Sequence, residues 1–147
     1  MAASLEVSVD APIERVWAII ADYARYPEFV PGVRGCRDLG VVGGKRQVEY
    51  EVDVGLRRIR YVLAHVEEPP RRVSWSLVRG DLLVRSEGAW ELSDEGGRTR
   101  ARYTADAQVA RPPLVPKVVI DRLMDELTRV QVPAIVRAFK ARAEGAA

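Results

Sequence analysis

The chain has 147 residues, of which 48% are hydrophobic and 30% are charged, a composition typical of one globular domain. Its 23 basic and 21 acidic residues give a net charge of +2, and the arginines are scattered, so we expect no nucleic-acid partner. The single cysteine, Cys36, excludes an intrachain disulfide. With no secretory signal and no apolar run of about 18 residues, a cytoplasmic location and no transmembrane segment are expected.

The first part of the chain predicts one strand and two short helices. Residues Ser4 to Val9 alternate between polar and apolar, which indicates a half-buried strand. Asp10 is a candidate helix N-cap with Pro12 in the first turn, and apolar residues then recur at helical spacing. These residues are Ile13, Val16, Trp17 and Ile20. A second helical turn is expected over 22–25, followed by an aromatic loop, Tyr26 to Pro31, that is either a flap over a cavity or a packed connection.

Between Val33 and Val109 the pattern predicts six more strands, seven in all, in an antiparallel meander. The turn signals between them are Gly43/Gly44, Gly55, Pro69/Pro70, Gly80/Asp81 and Asp94 to Gly97. Alternation with period two places one aromatic-rich face of each strand toward the interior. The inward aromatic residues are Tyr50, Tyr61, Trp75, Trp90 and Tyr103. The same alternation places Val84 on the face of Trp90.

The last segment predicts a long helix from Pro116 to about Ala143. Its apolar residues form one stripe, made up of Val119, Leu123, Leu127, Val130 and Ala134 and widened by Ile120, Met124 and Ile135. Pro133 interrupts the helix because it lacks the N–H group that would bind the carbonyl of Arg129. A kink is therefore expected there, which either bends the helix around the sheet or lets its two ends move separately.

This order of elements predicts an α+β fold in which a seven-stranded curved antiparallel sheet wraps around the long C-terminal helix. One helix of about 10–12 Å diameter cannot fill the concave side of such a sheet, so we expect an internal cavity. An empty void of about 300 Å³ would cost on the order of 7 kcal/mol at about 24 cal/mol per Å³. We therefore expect the cavity to be occupied, wet or retained for use, within a single domain spanning residues 1–147.

Several segments resemble the polyketide cyclase/dehydrase and lipid-transport family across essentially the whole chain. They are Val9 to Trp17 (VDAPIERVW), Asp22-Tyr23, Tyr26 to Pro31 (YPEFVP), Glu87 to Leu92 (EGAWEL) and Arg111 to Pro116 (RPPLVP). The resemblance implies the START-like helix-grip fold, also called SRPBCC. The YPEFVP loop is similar to that of coenzyme-Q-binding START proteins and their bacterial ribosome-associated toxin relatives.

The candidate ligand-binding residues are those expected to face the cavity. They are Phe29, Tyr50, Tyr61, Trp75, Trp90, Tyr103, Leu123 and Leu127. His65, the only histidine, shares the inward face of Tyr61, and these two residues are the candidates for acid or base catalysis. A hydrogen-bonded structural histidine is the alternative interpretation. No metal-ligand spacing accompanies it, so neither a metal site nor a cofactor is expected.

The sequence is compatible with three functions. The preferred one is binding or carriage of a hydrophobic small molecule, such as a lipid, an isoprenoid quinone or a polyketide, without catalysis. The second is an aromatic polyketide cyclase or aromatase, which needs a positioned acid or base and a donor for a developing enolate oxygen. The third is a ribosome-associated or other protein-interaction module that uses an outer surface.

Overall fold

The computed structural model describes residues 2–54, 57–111 and 113–145, which fold around one curved sheet. The strands are β1 (Ala2–Val9), β2 (Val33–Val42), β3 (Lys45–Val54), β4 (Arg57–Glu68), β5 (Arg72–Gly80), β6 (Leu83–Asp94) and β7 (Thr99–Val109). The helices are α1 (Ile13–Ile20), a 3₁₀ helix (Tyr23–Glu28), α2 (Lys117–Glu126), a π-helical segment (Leu127–Gln131) and α3 (Val132–Glu144). The last three form one C-terminal helix of 28 residues.

The sheet has the order β1-β7-β6-β5-β4-β3-β2, and every neighbouring pair is antiparallel. Strands adjacent in sequence are therefore adjacent in space, except that β1 returns to pair with β7. This confirms the predicted helix-grip architecture, with α1 and the 3₁₀ helix following the first strand. The turn predicted at Gly55 lies outside the described residues.

A local register shift corrects the prediction for the start of β6. The pairing with β7 shifts between Leu83 and Arg85, so one extra residue is accommodated on β6. Leu83 therefore lines the interior, whereas Val84 is 58% exposed. The expectation that Val84 shares the inner face with Trp90 was wrong for this reason.

The start of α1 also differs from the prediction. Pro12 is the N-cap residue, and no side-chain cap is formed, so Asp10 does not cap the helix. Instead the backbone N–H of Asp10 donates to the Glu144 carboxylate at 2.8 Å. Lys140 donates to the Ser8 carbonyl at 2.7 Å, and Arg15 donates to the Ala143 carbonyl at 2.7 Å. These bonds fix the C-terminal end of α3 against the junction of β1 and α1.

The C-terminal helix buries only part of the predicted stripe, since Leu127 and Ile135 line the interior whereas two of its valines are exposed. Val119 and Val130 are 51% and 53% exposed, and no residue of α2 is buried. The buried residues all lie in α3 and are Val136, Phe139 and Ala143. Pro133 stands at the start of α3, directly after the π-helical segment, so the interruption takes the form of a widened turn. That turn rotates the buried face of α3 relative to α2.

Three aromatic rings pack around Phe139, which anchors α3 to the rest of the molecule. Its ring lies 5.2 Å from Tyr26, 5.1 Å from Phe29 and 5.3 Å from Trp90, in edge-on orientations. Such pairs stabilise beyond the area they bury. The solid core therefore occupies the end of the sheet near α1 and α3, and the space left under α2 is less completely filled.

Candidate functional site

A cavity of about 240 Å³ lies between the concave face of the sheet and the C-terminal helix. Its lining is largely aromatic and aliphatic, as expected for a site that binds apolar small molecules. The aromatic lining residues are Tyr23, Tyr26, Tyr50, Tyr61, Trp75, Trp90, Tyr103 and Phe139. The helix contributes Leu127, Gln131, Val132 and Ile135, which recur at the spacing of one helix face.

The cavity reaches the surface at the end of the sheet where α2 begins. Glu87 lines it and is exposed, and Asp53 and Leu83 at the same end are partly exposed. Because β3 ends and β6 starts at this end, the mouth lies between these strands and the helix. Two exposed valines on α2, Val118 and Val119, lie in the helix that begins at this end.

The structure places most of the predicted ligand-binding residues on the cavity wall. Those on the wall are Tyr50, Tyr61, Trp75, Trp90, Tyr103 and Leu127. Phe29 and Leu123 are not on the wall. Phe29 packs on Phe139 from outside the cavity, with the guanidinium of Arg142 4.9 Å above its ring centroid. Leu123 lies in α2, one turn before the π-helical segment.

Sequence reasoning missed three aromatic wall residues, Tyr23, Tyr26 and Phe139. The phenol of Tyr26 is buried and donates a hydrogen bond to the carbonyl of Ile20. Val30 is buried as well, so the segment Tyr26 to Pro31 is a packed part of the wall and not a flap. For Phe139 a signal did exist, because it continues the four-residue spacing of Leu127, Gln131 and Ile135.

His65 is held at the inner end of the cavity by two hydrogen bonds. Its side chain is 3% exposed, with Nδ1 3.3 Å from the carbonyl oxygen of Arg46 and Nε2 2.9 Å from the hydroxyl of Tyr50. A carbonyl only accepts, so Nδ1 carries the proton and Nε2 accepts from Tyr50. Burial lowers the pKa of His65 to about 4, so the imidazole is neutral at pH 7.

A polar network behind His65 fixes the ends of β3 and β4. The phenol of Tyr23 donates to the Glu67 carboxylate at 2.8 Å, and that carboxylate accepts from Arg46 at 3.4 Å. Arg46 also donates to Asp38 at 2.8 Å. The same arginine presents the backbone carbonyl that binds His65, so the network sets the orientation of the imidazole.

The phenols of Tyr61 and Tyr103 are held in their neutral form. Burial raises the pKa of Tyr103 to about 12. Burial raises the pKa of Tyr61 above its usual value as well, and the nearby Tyr103 phenol adds to that effect. Both groups therefore act as hydrogen-bond donors at neutral pH, not as bases.

Within the described residues there is no group of three or more histidine, cysteine, aspartate or glutamate side chains that could hold a metal ion. No helix in the same part of the chain is long and apolar enough to cross a membrane. The cavity itself offers hydrogen-bonding groups, aromatic faces, the neutral Tyr50–His65 pair and three carboxyl groups, those of Asp53, Glu87 and Asp106.

The curved sheet, the C-terminal helix and the cavity between them form the START-like helix-grip fold. The chain belongs to the polyketide cyclase/dehydrase and lipid transport family, whose model matches residues 2–144. No curated protein matches the sequence at a significant level.

Solved structures share the whole fold at low sequence identity. The Zhui aromatase/cyclase from Streptomyces sp. R1128 is 19% identical with a TM-score of 0.86, covering 98% of this chain and 93% of its own. TTHA0849 from Thermus thermophilus is 18% identical with a TM-score of 0.85, covering 99% and 98%. A START superfamily protein from Mycobacterium smegmatis is 23% identical with a TM-score of 0.79, covering 98% and 97%. At these identities the likeness shows the fold.

Proposed function

We propose that this protein binds a hydrophobic small molecule in the cavity between its sheet and its C-terminal helix. The observation that supports this most is the cavity itself, about 240 Å³ lined mainly by aromatic and aliphatic side chains. A void of that size would be costly to leave empty in a folded domain. The family to which the chain belongs includes lipid transport, which is compatible with binding and carriage.

The volume of the cavity favours a compact ring system. It equals the volume of about eight water molecules at about 30 Å³ each. Two fused rings fit such a space, whereas the acyl chains of a diacyl lipid do not. An isoprenoid quinone such as coenzyme Q would place its ring inside and its tail through the mouth, in the direction of the exposed Val118 and Val119.

Binding without catalysis is favoured because the only histidine is already occupied. Both nitrogens of His65 are used within the protein, by Arg46 and Tyr50. The low pKa of His65 also makes it a weak base at pH 7. A ligand therefore meets the Tyr50 hydroxyl before it can meet the imidazole.

The Tyr50–His65 pair is also the observation that favours a second candidate, an aromatic polyketide cyclase. Tyr50 could take a proton from the substrate while its own proton passes to Nε2 of His65. Tyr61 and Tyr103 would then donate to the developing enolate oxygen. This candidate predicts that His65→Ala and Tyr61→Phe abolish turnover of a poly-β-ketone while the protein stays folded. Unchanged turnover in both variants would remove it.

Native mass spectrometry of the purified protein, before and after extraction with mild organic solvent, tests the binding function. We expect an apolar compound that is lost on extraction, and a raised melting temperature when fused-ring ketones or quinones are added to the extracted protein. The function would be contradicted by the absence of any bound compound together with no thermal shift from lipids, quinones or aromatic ketones.

A further inference from the structure

The cavity contains phenol groups that the protein itself leaves without hydrogen-bond partners. Tyr61 and Tyr103 both line it, and neither has a hydrogen-bond partner among the described residues. In the same part of the chain, every fully enclosed side-chain nitrogen or oxygen atom does have a partner. The two phenol oxygens therefore face open cavity space, where a ligand atom can reach them.

The two open phenols offer protons to a ligand. Because Tyr61 and Tyr103 are neutral at pH 7, each can donate its O–H to an oxygen of the ligand. The indole N–H groups of Trp75 and Trp90, which also line the cavity, can only donate. This part of the wall is therefore complementary to a carbonyl oxygen, which accepts without donating.

The neighbouring phenol of Tyr50 can accept a hydrogen bond from a ligand but has no free proton to donate. Its proton is directed to Nε2 of His65 at 2.9 Å, so its oxygen is left with lone pairs. The rings of Tyr50 and Tyr61 are stacked with their centroids 5.4 Å apart. An acceptor at Tyr50 thus stands beside a donor at Tyr61, and a ligand hydroxyl is the natural partner of the acceptor.

The cavity offers no positive charge to a ligand. None of the described residues that line it is a lysine or an arginine, and His65 is neutral. The acidic side chains among the lining residues are Asp53, Glu87 and Asp106. A ligand carboxylate in this space would lose its hydration without gaining a cation, which strongly disfavours the charged form.

We propose that the cavity selects an uncharged fused-ring ligand with a carbonyl oxygen facing Tyr61 and Tyr103 and a hydroxyl group facing Tyr50. This inference rests on the proposed binding function and names the chemical class of its ligand. It separates hydroxylated aromatic ketones and quinones, which fit, from fatty acids and other carboxylates, which do not.

Isothermal titration at pH 6.5, where the phenol compound is neutral and the carboxylate is ionised, tests the inference with four compounds of one ring size. The compounds are 6-hydroxy-1-tetralone, 1-tetralone, tetralin and 1-naphthoate. We expect affinity to fall by about fivefold for each hydrogen-bonding group removed, and 1-naphthoate to bind most weakly. Tyr103→Phe and Tyr61→Phe should each weaken binding of the two ketones by about fivefold and leave binding of tetralin unchanged.

The outcomes distinguish this inference from the function on which it rests. If tetralin binds but 1-naphthoate binds as tightly as the ketones, the inference is overturned and the binding function stands. Equal affinity of the three uncharged compounds would overturn it in the same way. If none of the four compounds binds, the inference fails, whereas the binding function is decided separately by native mass spectrometry and by the thermal shifts with lipids and quinones.

Discussion

The indole of Trp75 lies directly over Gly88, its partner across the β5–β6 pair. A Cβ atom at Gly88 would stand 2.5 and 2.7 Å from two carbons of that ring, and would also meet the carbonyl oxygen of Thr104. Real Cβ atoms essentially never come so close to other heavy atoms. Gly88 is therefore the residue that allows Trp75 to lie flat on the cavity wall.

Gly88→Ala should destabilise the protein and displace the Trp75 ring. The backbone carbonyl of Thr104 cannot move away cheaply, so we expect a loss of about 1–3 kcal/mol in the free energy of unfolding, typical of overpacking. Urea denaturation measures the loss, and tryptophan fluorescence reports the displacement. Gly35→Ala is the matched control, since its Cβ would meet only the Glu51 side chain at an ordinary 3.5 Å. Equal stability of the two variants would contradict the account.

Protonation of His65 should destabilise the folded state below about pH 6.5. The pKa is lowered from 6.5 in the unfolded chain to about 4 in the folded protein, so the unfolded state binds the proton first. The stabilisation that the neutral imidazole gives the folded state is fully present above pH 6.5 and is lost as the pH falls toward 4. The loss reaches roughly 3 kcal/mol, at about 1.4 kcal/mol per pH unit of separation.

His65→Gln removes the titrating imidazole. The variant therefore shows how stability changes with pH through all the other titratable groups. The difference in unfolding free energy between wild type and variant should shrink by about 2 kcal/mol between pH 7 and pH 5. An NMR titration of the imidazole in the wild-type protein gives a second measurement that does not depend on the variant. An imidazole that titrates near pH 6.5 in the folded protein would show that it is not held neutral.

Phe139→Ala should be among the most destabilising single substitutions in α3. It removes edge-on contacts with Tyr26, Phe29 and Trp90 and leaves a hole between the helix and the sheet. We expect a loss of about 3–5 kcal/mol in the free energy of unfolding. Val130→Ala, on the exposed side of the same helix, should change it by less than about 0.5 kcal/mol. A loss below about 1 kcal/mol for Phe139→Ala would contradict the anchoring role.

The sequence was sufficient to predict the fold because the alternation of apolar residues identifies the buried face of each strand. In β3, β4, β5 and β7 this alternation correctly placed Tyr50, Tyr61, Trp75 and Tyr103 on the inner face. Trp90 on β6 was also placed correctly. Turn residues between these runs were enough to order the strands as a meander.

Two local features could not be predicted, and in each of them a strand or helix accommodates one extra residue. The register shift at Leu83–Arg85 and the π-helical segment Leu127–Gln131 each add a residue without changing the composition of the segment around it. Each changes which side chains before and after it share a face. This is why Val84 was assigned inward and Val130 was assigned to the buried stripe, whereas Val119 is exposed because no residue of α2 is buried.

Contacts between residues that lie far apart in the sequence could not be predicted either. Phe139 contacts Tyr26 where α3 lies against the junction of β1 and α1, a position in which Lys140 and Arg15 also form hydrogen bonds. The residues next to Phe139 and Tyr26 in the sequence do not indicate that these two side chains are in contact. Likewise, both nitrogens of His65 form hydrogen bonds with residues of the neighbouring strand β3, namely Arg46 and Tyr50.

If an apolar ligand enters the cavity, side chains that fill the cavity should weaken its binding. Ala105 lines the cavity from β7, so a phenyl ring at this position fills part of the space. Thr104→Phe is the matched control, because its side chain points to the other face of the same strand. Ile135→Phe blocks the cavity from the helix side.

Binding of 1-tetralone to the folded wild-type protein and to these three variants is the decisive measurement, with thermal unfolding run in parallel to show that each variant is folded. We expect wild type and Thr104→Phe to bind 1-tetralone with similar affinity, and Ala105→Phe and Ile135→Phe to bind it at least about tenfold more weakly, which corresponds to about 1.4 kcal/mol. Unchanged affinity in both blocked variants would contradict this expectation, because the ligand would then bind outside the cavity.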